Sequence, residues 1–360
     1  MKRSGTIVAL GMYDLTRLNR AMPVRIHHLH LALQQLSPTT LLTGSRMARR
    51  RAVARFLLRG GLRHTRAVHV EASTSTASEV DLLFLALAHA AGVPILIFIP
   101  DAYQLFPTIF PRTGLKERLL DWGWRRSIAS YLRLADMLLF PSQGLGTCFD
   151  TQQCTEVLPP AGLPNQECSP LSWEPPTILY VGGASRRYGS DLLLDAMEQV
   201  VTRHPAARCR FITGDVAVDV LAAHRARHTP WLTVEQRTFD ELPTVMSSAT
   251  LTVIPLRVNA YNDLAMPVKL FDYMSFGRPV VATACRDTAA LVNELEAGLI
   301  VDDTADGLAQ GITRLLEDPD LATRLGQNGY QAIQSAHAWP HRAARLLQII
   351  EALEQGQGVD

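Results

Sequence analysis

Residues 177–190 read TILYVGGASRRYGS, an apolar run followed by a turn rich in glycine. The first five residues predict a buried strand, because short apolar runs bounded by glycine are typical of strands inside a core. The amphipathic residues 191–202 that follow predict a helix. A strand, a tight turn and a helix in this order form the repeating unit of a doubly wound α/β fold.

The same pattern recurs on both sides of this stretch. Five earlier apolar runs fit strands of one parallel sheet: 6–10, 40–43, 67–71, 95–99 and 137–140. Five later runs fit a second sheet that begins at residue 177: 210–213, 231–234, 251–254, 279–283 and 299–301. Helix-length segments separate the runs, so the sequence predicts an α/β protein with two Rossmann-like domains in tandem.

A proline-rich segment, residues 158–176, separates the two series and contains two Pro-Pro pairs. Clusters of this kind are typical of irregular connections between domains. We therefore predict a first domain over residues 1–165, a linker over 166–176 and a second domain over 177–338. Because ligands bind outside the carboxyl ends of parallel strands, we expect the site in a cleft between the domains.

The composition is that of a globular protein. The chain has 360 residues, of which 47% are hydrophobic and 19% charged, with a mean hydropathy of +0.06. These values exclude disordered and low-complexity classes. The five cysteines contain no Cys-x-x-Cys pair, which argues against a disulfide scaffold and a structural zinc site. The histidines at 27, 28 and 30 lack a cysteine or carboxylate nearby, so we predict no metal site.

No membrane-spanning helix is predicted. The longest apolar stretch without a charge, residues 82–99, is interrupted by His89 and by Ala-Gly-Val-Pro at 91–94. It is better explained as a buried helix followed by a strand. The first apolar run has no small-residue cleavage site of the kind found in signal peptides. The sequence therefore predicts a cytoplasmic protein.

The charges are distributed unevenly. Residues 1–165 contain 19 Lys or Arg and 10 Asp or Glu, whereas the remaining residues contain 16 and 24. The near-neutral whole argues against nucleic-acid binding, and a basic half suits an anionic surface or substrate. The segment from Arg46 to Arg66 has eight arginines, no acid and interleaved apolar residues. It fits either an interfacial helix on the inner, anionic face of a membrane or a solvated helix above a core.

Two segments of the second domain have the chemistry to bind a nucleoside diphosphate. Glycines in the turn after residue 181 let a diphosphate approach the backbone, and Arg186 and Arg187 add positive charge. Residues 262–282 read NDLAMPVKLFDYMSFGRPVVA and predict a helix of about ten residues framed by proline and glycine. Its first amides and Lys269 suit a phosphate, and Asp272 suits ribose hydroxyls. The alternative is an ordinary surface ion pair between Lys269 and Asp272.

The segment MPVKLFDYMSFGRPVV, residues 266–281, resembles the signature of the GT-B nucleotide-sugar glycosyltransferases, specifically the retaining glycosyl transferases group 1. The resemblance extends over residues 177–345. It implies a donor such as a UDP- or GDP-sugar, no cofactor, and a last helix within 339–360 that crosses back to the first domain. The donor-binding residues that it implies are Gly182, Gly183, Arg186, Tyr188, Gly189, Met266, Pro267, Val268 and Asp272. Arg187 and Lys269 would stabilise the departing diphosphate as catalytic residues.

The sequence departs from the family pattern at four positions. Leu264 stands where the family has the first of two glutamates, and Asp272 replaces the second. Tyr188 replaces a basic residue before the loop glycine, and Pro100 replaces a histidine.

Residues 70–76 and 97–103 are similar to cleft segments of bacterial polysaccharide glycosyltransferases. On this side we predict Asp101 as a catalytic residue, with Tyr13, Asp14 and Glu71 near the acceptor. The expected reaction is sugar transfer with retention to a saccharide or lipid-linked acceptor, in polysaccharide or glycoconjugate biosynthesis. The alternatives are a nucleotide-sugar epimerase of the same fold and a noncatalytic partner subunit that binds a sugar nucleotide.

Overall fold

The computed structural model describes residues 5–16, 21–214, 229–238 and 241–355. The chain divides into two compact units. The first consists of Met1–Pro159 together with Trp339–Asp360, and the second is Pro160–Ala338. Each unit contains a six-stranded sheet in which every described pairing is parallel, so the predicted α/β class with two Rossmann-like sheets is confirmed.

In the first unit the strand order is β2-β1-β3-β4-β5-β6. Its strands are β1 Thr6–Gly11, β2 Thr39–Leu42, β3 Thr65–Glu71, β4 Ile95–Phe98, β5 Met137–Phe140 and β6 Cys154–Val157. The five predicted strands are present with small shifts at their ends. The sequence did not predict β6, because its residues are polar and mostly exposed at the edge of the sheet.

In the second unit the order is β12-β11-β10-β7-β8-β9. Its strands are β7 Thr177–Val181, β8 Arg208–Ile212, β9 Leu232–Glu235, β10 Leu251–Ile254, β11 Val280–Thr283 and β12 Gly298–Val301. All six coincide with predicted apolar runs. The strands β7, β10 and β11 are buried almost throughout, as expected for central parallel strands with helices on both faces.

Helices connect the strands in both units. In chain order they are α1 Ala21–Gln34, α2 Arg46–Leu58, α3 Glu79–Ala90, α4 Leu115–Leu134, α5 Gln143–Gly146, α6 Ser190–Arg203, α7 Leu242–Ser247, α8 Val268–Ser275, α9 Arg286–Glu294, α10 Ala305–Glu317, α11 Pro319–Ala332 and α12 Trp339–Glu354. Because α12 packs against α1, the last helix belongs to the first unit. An ion pair of 2.9 Å between Arg66 and Glu354 joins it to the start of β3.

The proline-rich connection packs on the second unit from Pro160 onward, six residues before the predicted linker. The Gly162 amide donates to His337 O at 2.9 Å, and the Leu163 amide donates to Ser275 Oγ at 2.9 Å. The buried Arg278 guanidinium donates to the carbonyl oxygen of Ser169. These bonds satisfy backbone groups that a free linker would leave to water, so the segment is part of the second unit.

Candidate functional site

The glycine turn after β7 lies against the first turn of α8. At Gly182, with φ of 154°, a Cβ atom would come within 2.6 Å of Lys269 Nζ. At Gly189, with φ of 70°, a Cβ atom would lie 1.5 Å from the Pro255 carbonyl oxygen. Only glycine permits both the backbone conformation and these approaches. The structure thus brings together the two segments for which the sequence predicted donor binding.

Lys269 lies in the first turn of α8, which begins after Pro267 without a side-chain cap. Its Nζ atom is 4.2 Å from the centroid of the Tyr180 ring. In the part of the chain that the structure describes, the ammonium makes no hydrogen bond and no ion pair. Burial lowers the pKa of Lys269 to about 7. An ammonium held on an aromatic face without a counter-ion is ready to bind an anion.

Asp272 follows Lys269 on the same helix and is half-buried. Burial raises the pKa of its carboxyl group to about 7. Among the described residues it has no hydrogen-bond or ion-pair partner, so the alternative of a surface ion pair with Lys269 is wrong. Within the described residues, α8 thus carries two unpaired groups of opposite charge type, and Lys269 is the one that lies against the glycine turn.

The arginines of the turn differ in their surroundings. Arg187 donates to Tyr261 Oη at 3.3 Å, and its guanidinium lies 5.6 Å from the rings of both Tyr188 and Tyr261. Arg186 has a side chain that is 82% exposed, with Nε 3.9 Å from Asp191. Tyr188 replaces the basic residue of the family pattern, and here it supplies a face for Arg187. Of the two arginines, Arg187 is the one held in place.

Arg257 was missed by the sequence analysis. It lies in the loop after β10, and its Nη2 atom is 2.6 Å from Asp191 Oδ2 in the first turn of α6. It therefore adds a guanidinium beside the start of the helix that follows the glycine turn. Its position just after a parallel strand was the signal in the sequence, since ligands bind at the carboxyl ends of such strands.

The missing family glutamate is not replaced by its neighbour. Leu264 is buried, and the Asp263 carboxylate accepts a hydrogen bond of 3.1 Å from the Arg286 amide at the start of α9. Asp263 therefore stabilises a helix end.

Three of the four predicted residues of the first unit lie just after strands. Tyr13 follows β1, and its hydroxyl accepts a hydrogen bond of 3.1 Å from the Thr74 amide beyond β3. Burial raises the pKa of Tyr13 to about 12, so it is a neutral hydroxyl at physiological pH. Asp14 is exposed and accepts from the Thr16 amide. Asp101 follows β4 and accepts from the Ala102 amide at 2.7 Å. Their contribution to acceptor binding stays a prediction.

Glu71 is the fourth, at the end of β3, and it is 3% exposed. Arg25 Nε donates to both of its carboxylate oxygens at 3.1 Å, and His69 Nε2 lies 3.0 Å from one of them. Burial alone would raise the pKa of Glu71, but Arg25 and His69 hold it below its usual value. Arg25 also donates to the Leu158 carbonyl. The buried ion pair joins α1 to β3, and the hydrogen bond to Leu158 joins α1 to the end of the first stretch of this unit. The pairing argues against direct contact between Glu71 and an acceptor.

The arginine run from Arg46 to Arg66 forms α2 and the turn beyond it, and half of its charges are paired. Arg49 is buried and donates to both Asp81 oxygens, at 2.9 and 2.8 Å. Arg46 and Arg50 pair with Glu79, and Arg66 pairs with the last helix. Within the described residues, the other four arginines have no ion pair. The run is thus neither a fully charged interfacial helix nor an ordinary solvated one.

No helix in the described residues is long and apolar enough to span a bilayer. The same residues contain no cluster of His, Cys, Asp or Glu suited to a metal ion. The prediction that the reaction needs neither a metal nor a cofactor remains a prediction.

Residues 175–318, which include the glycine turn and α8, match the model of the family described as Glycosyl transferases group 1. The predicted resemblance to the glycosyl transferases group 1 is confirmed over this part of the chain, whereas retention of configuration stays a prediction. With its two six-stranded sheets, the chain has the GT-B fold of glycosyltransferases.

One curated protein and two solved structures illustrate what the chain is similar to. Alpha-D-kanosaminyltransferase of Streptomyces kanamyceticus is 25% identical over 159 residues, which cover 42% of this chain and 39% of that protein. Sucrose-phosphate synthase from Thermosynechococcus elongatus has a similar structure, with a TM-score of 0.67, 18% identity, and coverage of 98% of this chain and 100% of that one. HepE from Anabaena, in complex with UDP, has a TM-score of 0.67 at 13% identity, over 96% of this chain and 100% of that one.

Proposed function

We propose that the protein transfers a sugar from a nucleoside diphosphate sugar to a saccharide or lipid-linked acceptor. The observation that carries the proposal is a pair of groups on α8, Lys269 and Asp272, that have no partner in the described residues. This helix lies against the glycine turn, and both belong to the segment that matches the family. A diphosphate needs positive charge and free amides, and a ribose needs a hydrogen-bond acceptor. The turn and the first two turns of α8 supply all three.

In the proposed reaction the bond between the sugar anomeric carbon and the diphosphate breaks, and a bond to an acceptor hydroxyl oxygen forms. The diphosphate departs with both bonding electrons, and the proton of the acceptor hydroxyl passes to the departing diphosphate. The main task of the protein is to stabilise the negative charge that develops on the leaving group. Lys269 and Arg187 would do so, and Asp101 is the candidate group on the acceptor side. Retention of anomeric configuration is part of the proposal.

The test is incubation of the full chain with UDP- and GDP-sugars, with and without saccharide and lipid-linked acceptors. Release of nucleoside diphosphate that depends on an acceptor, with an α-linked product from an α-linked donor by NMR, is the expected result. Because Anabaena HepE binds UDP, uridine donors are the first choice.

The same incubation separates the alternatives. An epimerase would change the sugar of the donor without an acceptor, and would need acid and base groups beside that sugar. A noncatalytic subunit would bind the donor and release nothing. Either outcome would contradict the proposed transfer.

A further inference from the structure

Helix α4 of the first unit has apolar side chains on opposite sides. Trp124 and Ile128 face the core and are 2% and 8% exposed. Leu115, Leu119 and Trp122 occupy the other side at spacings of four and three, and they are 75%, 60% and 61% exposed. A helix of a water-soluble unit normally presents polar residues there. Packing within the unit therefore does not account for this stripe.

The charges that flank the stripe are positive. Lys116, Arg118 and Arg126 are exposed, and the Arg126 guanidinium lies 5.7 Å from the Trp122 ring. In the described residues these three cations have no ion-pair partner. An apolar stripe bordered by unpaired cations is typical of a helix that lies in the interface of an anionic bilayer.

The acidic groups of α4 are already engaged. Glu117 accepts hydrogen bonds from the Thr113 and Gly114 amides, at 3.0 and 3.2 Å, and so caps the helix. Asp121 pairs with Arg125 at 2.9 Å. Neither carboxylate offsets the three free cations.

The neighbouring helices extend the surface, since α3 packs against both α2 and α4. Leu83 and Leu87 of α3 are exposed. Arg51, Arg55 and Arg59, in and just after α2, are exposed and, within the described chain, have no ion pair. Together α2, α3 and α4 carry ten Lys or Arg and four Asp or Glu.

We propose that the outer surface of α2, α3 and α4 docks on an anionic lipid bilayer. Leu115, Leu119 and Trp122 enter the headgroup region, and the free arginines and Lys116 contact lipid phosphates. A second copy of the chain is a poorer partner, because a symmetric contact would bring cations against cations. The sequence predicted lipid contact only for the arginine run. The structure assigns the apolar part of the contact to α4, independently of the transfer reaction.

The experiment is co-sedimentation of the full chain with phosphatidylcholine vesicles, with and without phosphatidylglycerol. Binding is expected only with the anionic lipid. Leu119→Glu should weaken it by about tenfold or more, since a charged side chain replaces an apolar one that the bilayer would bury. Leu36→Glu is the matched control, because Leu36 is 47% exposed and lies outside these helices. Circular dichroism and thermal unfolding verify that both variants fold. Equal weakening by the two variants, or no binding of the unaltered chain, overturns the proposal.

A second measurement locates the contact. Brominated acyl chains should quench tryptophan fluorescence of the bound protein. Trp122→Phe should abolish most of the quenching, because Trp124, Trp231 and Trp339 are buried and the half-buried Trp173 lies in the second unit. Persistent quenching would place the contact elsewhere and overturn the proposal. So would concentration-dependent dimerisation without vesicles that Leu119→Glu abolishes, since the surface would then serve a second copy.

Discussion

At the scale of single residues, Lys269 and Asp272 are unusual because both are half-buried charged types that have no partner among the described residues. Each is poorly hydrated, so each has a pKa near 7 instead of its ordinary value. Paired surface residues would keep ordinary charges and offer a ligand little. Shifts of this kind are concentrated at functional sites, and both residues belong to the segment that matches the glycosyltransferase family.

Lys269→Ala should abolish most of the stabilisation of the protein by UDP or GDP, because the variant removes a charge-assisted contact. For the unaltered protein, nucleotide at a hundred times its dissociation constant should add about 2.7 kcal/mol to the free energy of unfolding. Thermal-shift titration measures both. Lys116→Ala, at an exposed lysine of α4, should respond like the unaltered protein. A full response in Lys269→Ala would show that this ammonium does not bind the nucleotide.

Asp272→Asn should weaken nucleotide binding by roughly tenfold to a hundredfold, because a hydrogen bond to a charged acceptor contributes about 1.5 to 3 kcal/mol. Isothermal titration calorimetry with UDP measures this change, and calorimetry with uridine and with uracil isolates the ribose, since these two ligands differ only by that sugar. Asp195→Asn, at an exposed acid of α6, is the matched control. Unchanged UDP affinity in Asp272→Asn would rule out the ribose contact.

Nucleotide affinity should have a maximum near pH 7. Above that pH the free protein loses the Lys269 proton that the diphosphate needs, so affinity falls as pH rises. Below it Asp272 becomes protonated and loses its capacity to accept bonds as a carboxylate, so affinity falls as pH drops. Calorimetry between pH 5 and 9 should show both limbs (about two units on each side of the maximum). Lys269→Ala should flatten the alkaline limb and Asp272→Asn the acidic one.

At the scale of helices and strands, the same residue type has different tasks along one helix. In α2, Arg49 points inward to Asp81, whereas Arg51 is exposed and, in the described chain, unpaired. Ser78 and Asp81 also cap α3 through a reciprocal pair of hydrogen bonds. The arginine run therefore contributes both to the core of the first unit and to its surface.

Arg49→Gln should destabilise the protein by about 3 to 5 kcal/mol, because it leaves the buried Asp81 carboxylate without its counter-ion. Arg51→Gln should change stability by less than about 0.5 kcal/mol. Urea unfolding of both variants is the measurement. Burial alone would raise the pKa of Asp81, but Arg49 and Ser78 hold it below the usual value, so this contribution is lost as pH falls through that lowered pKa. Equal stabilities of the two variants would show that the Arg49 pair contributes little.

At the scale of the whole molecule, the two units do not follow one another along the sequence, because the first unit is built from two separate stretches of the chain. The first unit contains both the first 159 residues and helix α12, so it is complete only after α12 has been synthesised. Helix α12 buries Trp339, Leu346 and Ile350 in that unit. Every predicted donor-binding residue lies in the second unit.

Removal of residues 339–360 should therefore lower the thermal stability of the first unit and leave nucleotide binding by the second largely intact. Differential scanning calorimetry with and without UDP tests this expectation. Arg66→Gln, which removes only the ion pairing to α12, is the milder companion variant and should lower stability by about 1 to 3 kcal/mol, because the Glu354 side chain is only 2% exposed and would lose its partner. Loss of the UDP response in the truncated chain would mean that the second unit depends on α12.

The amino-acid sequence by itself determined the fold class, eleven of the twelve strands in the described residues and the segment that matches the family, because these depend on apolar periodicity, glycine and proline within short stretches. Tertiary structure decided which charges are free. Glu71 is paired by Arg25, Arg49 by Asp81 and Arg66 by Glu354, at separations of 46, 32 and 288 residues. No local pattern specifies such partners. For the same reason, only the fold showed that Lys269 and Asp272 have no partner in the part of the chain that is described, and that the apolar stripe of α4 is exposed.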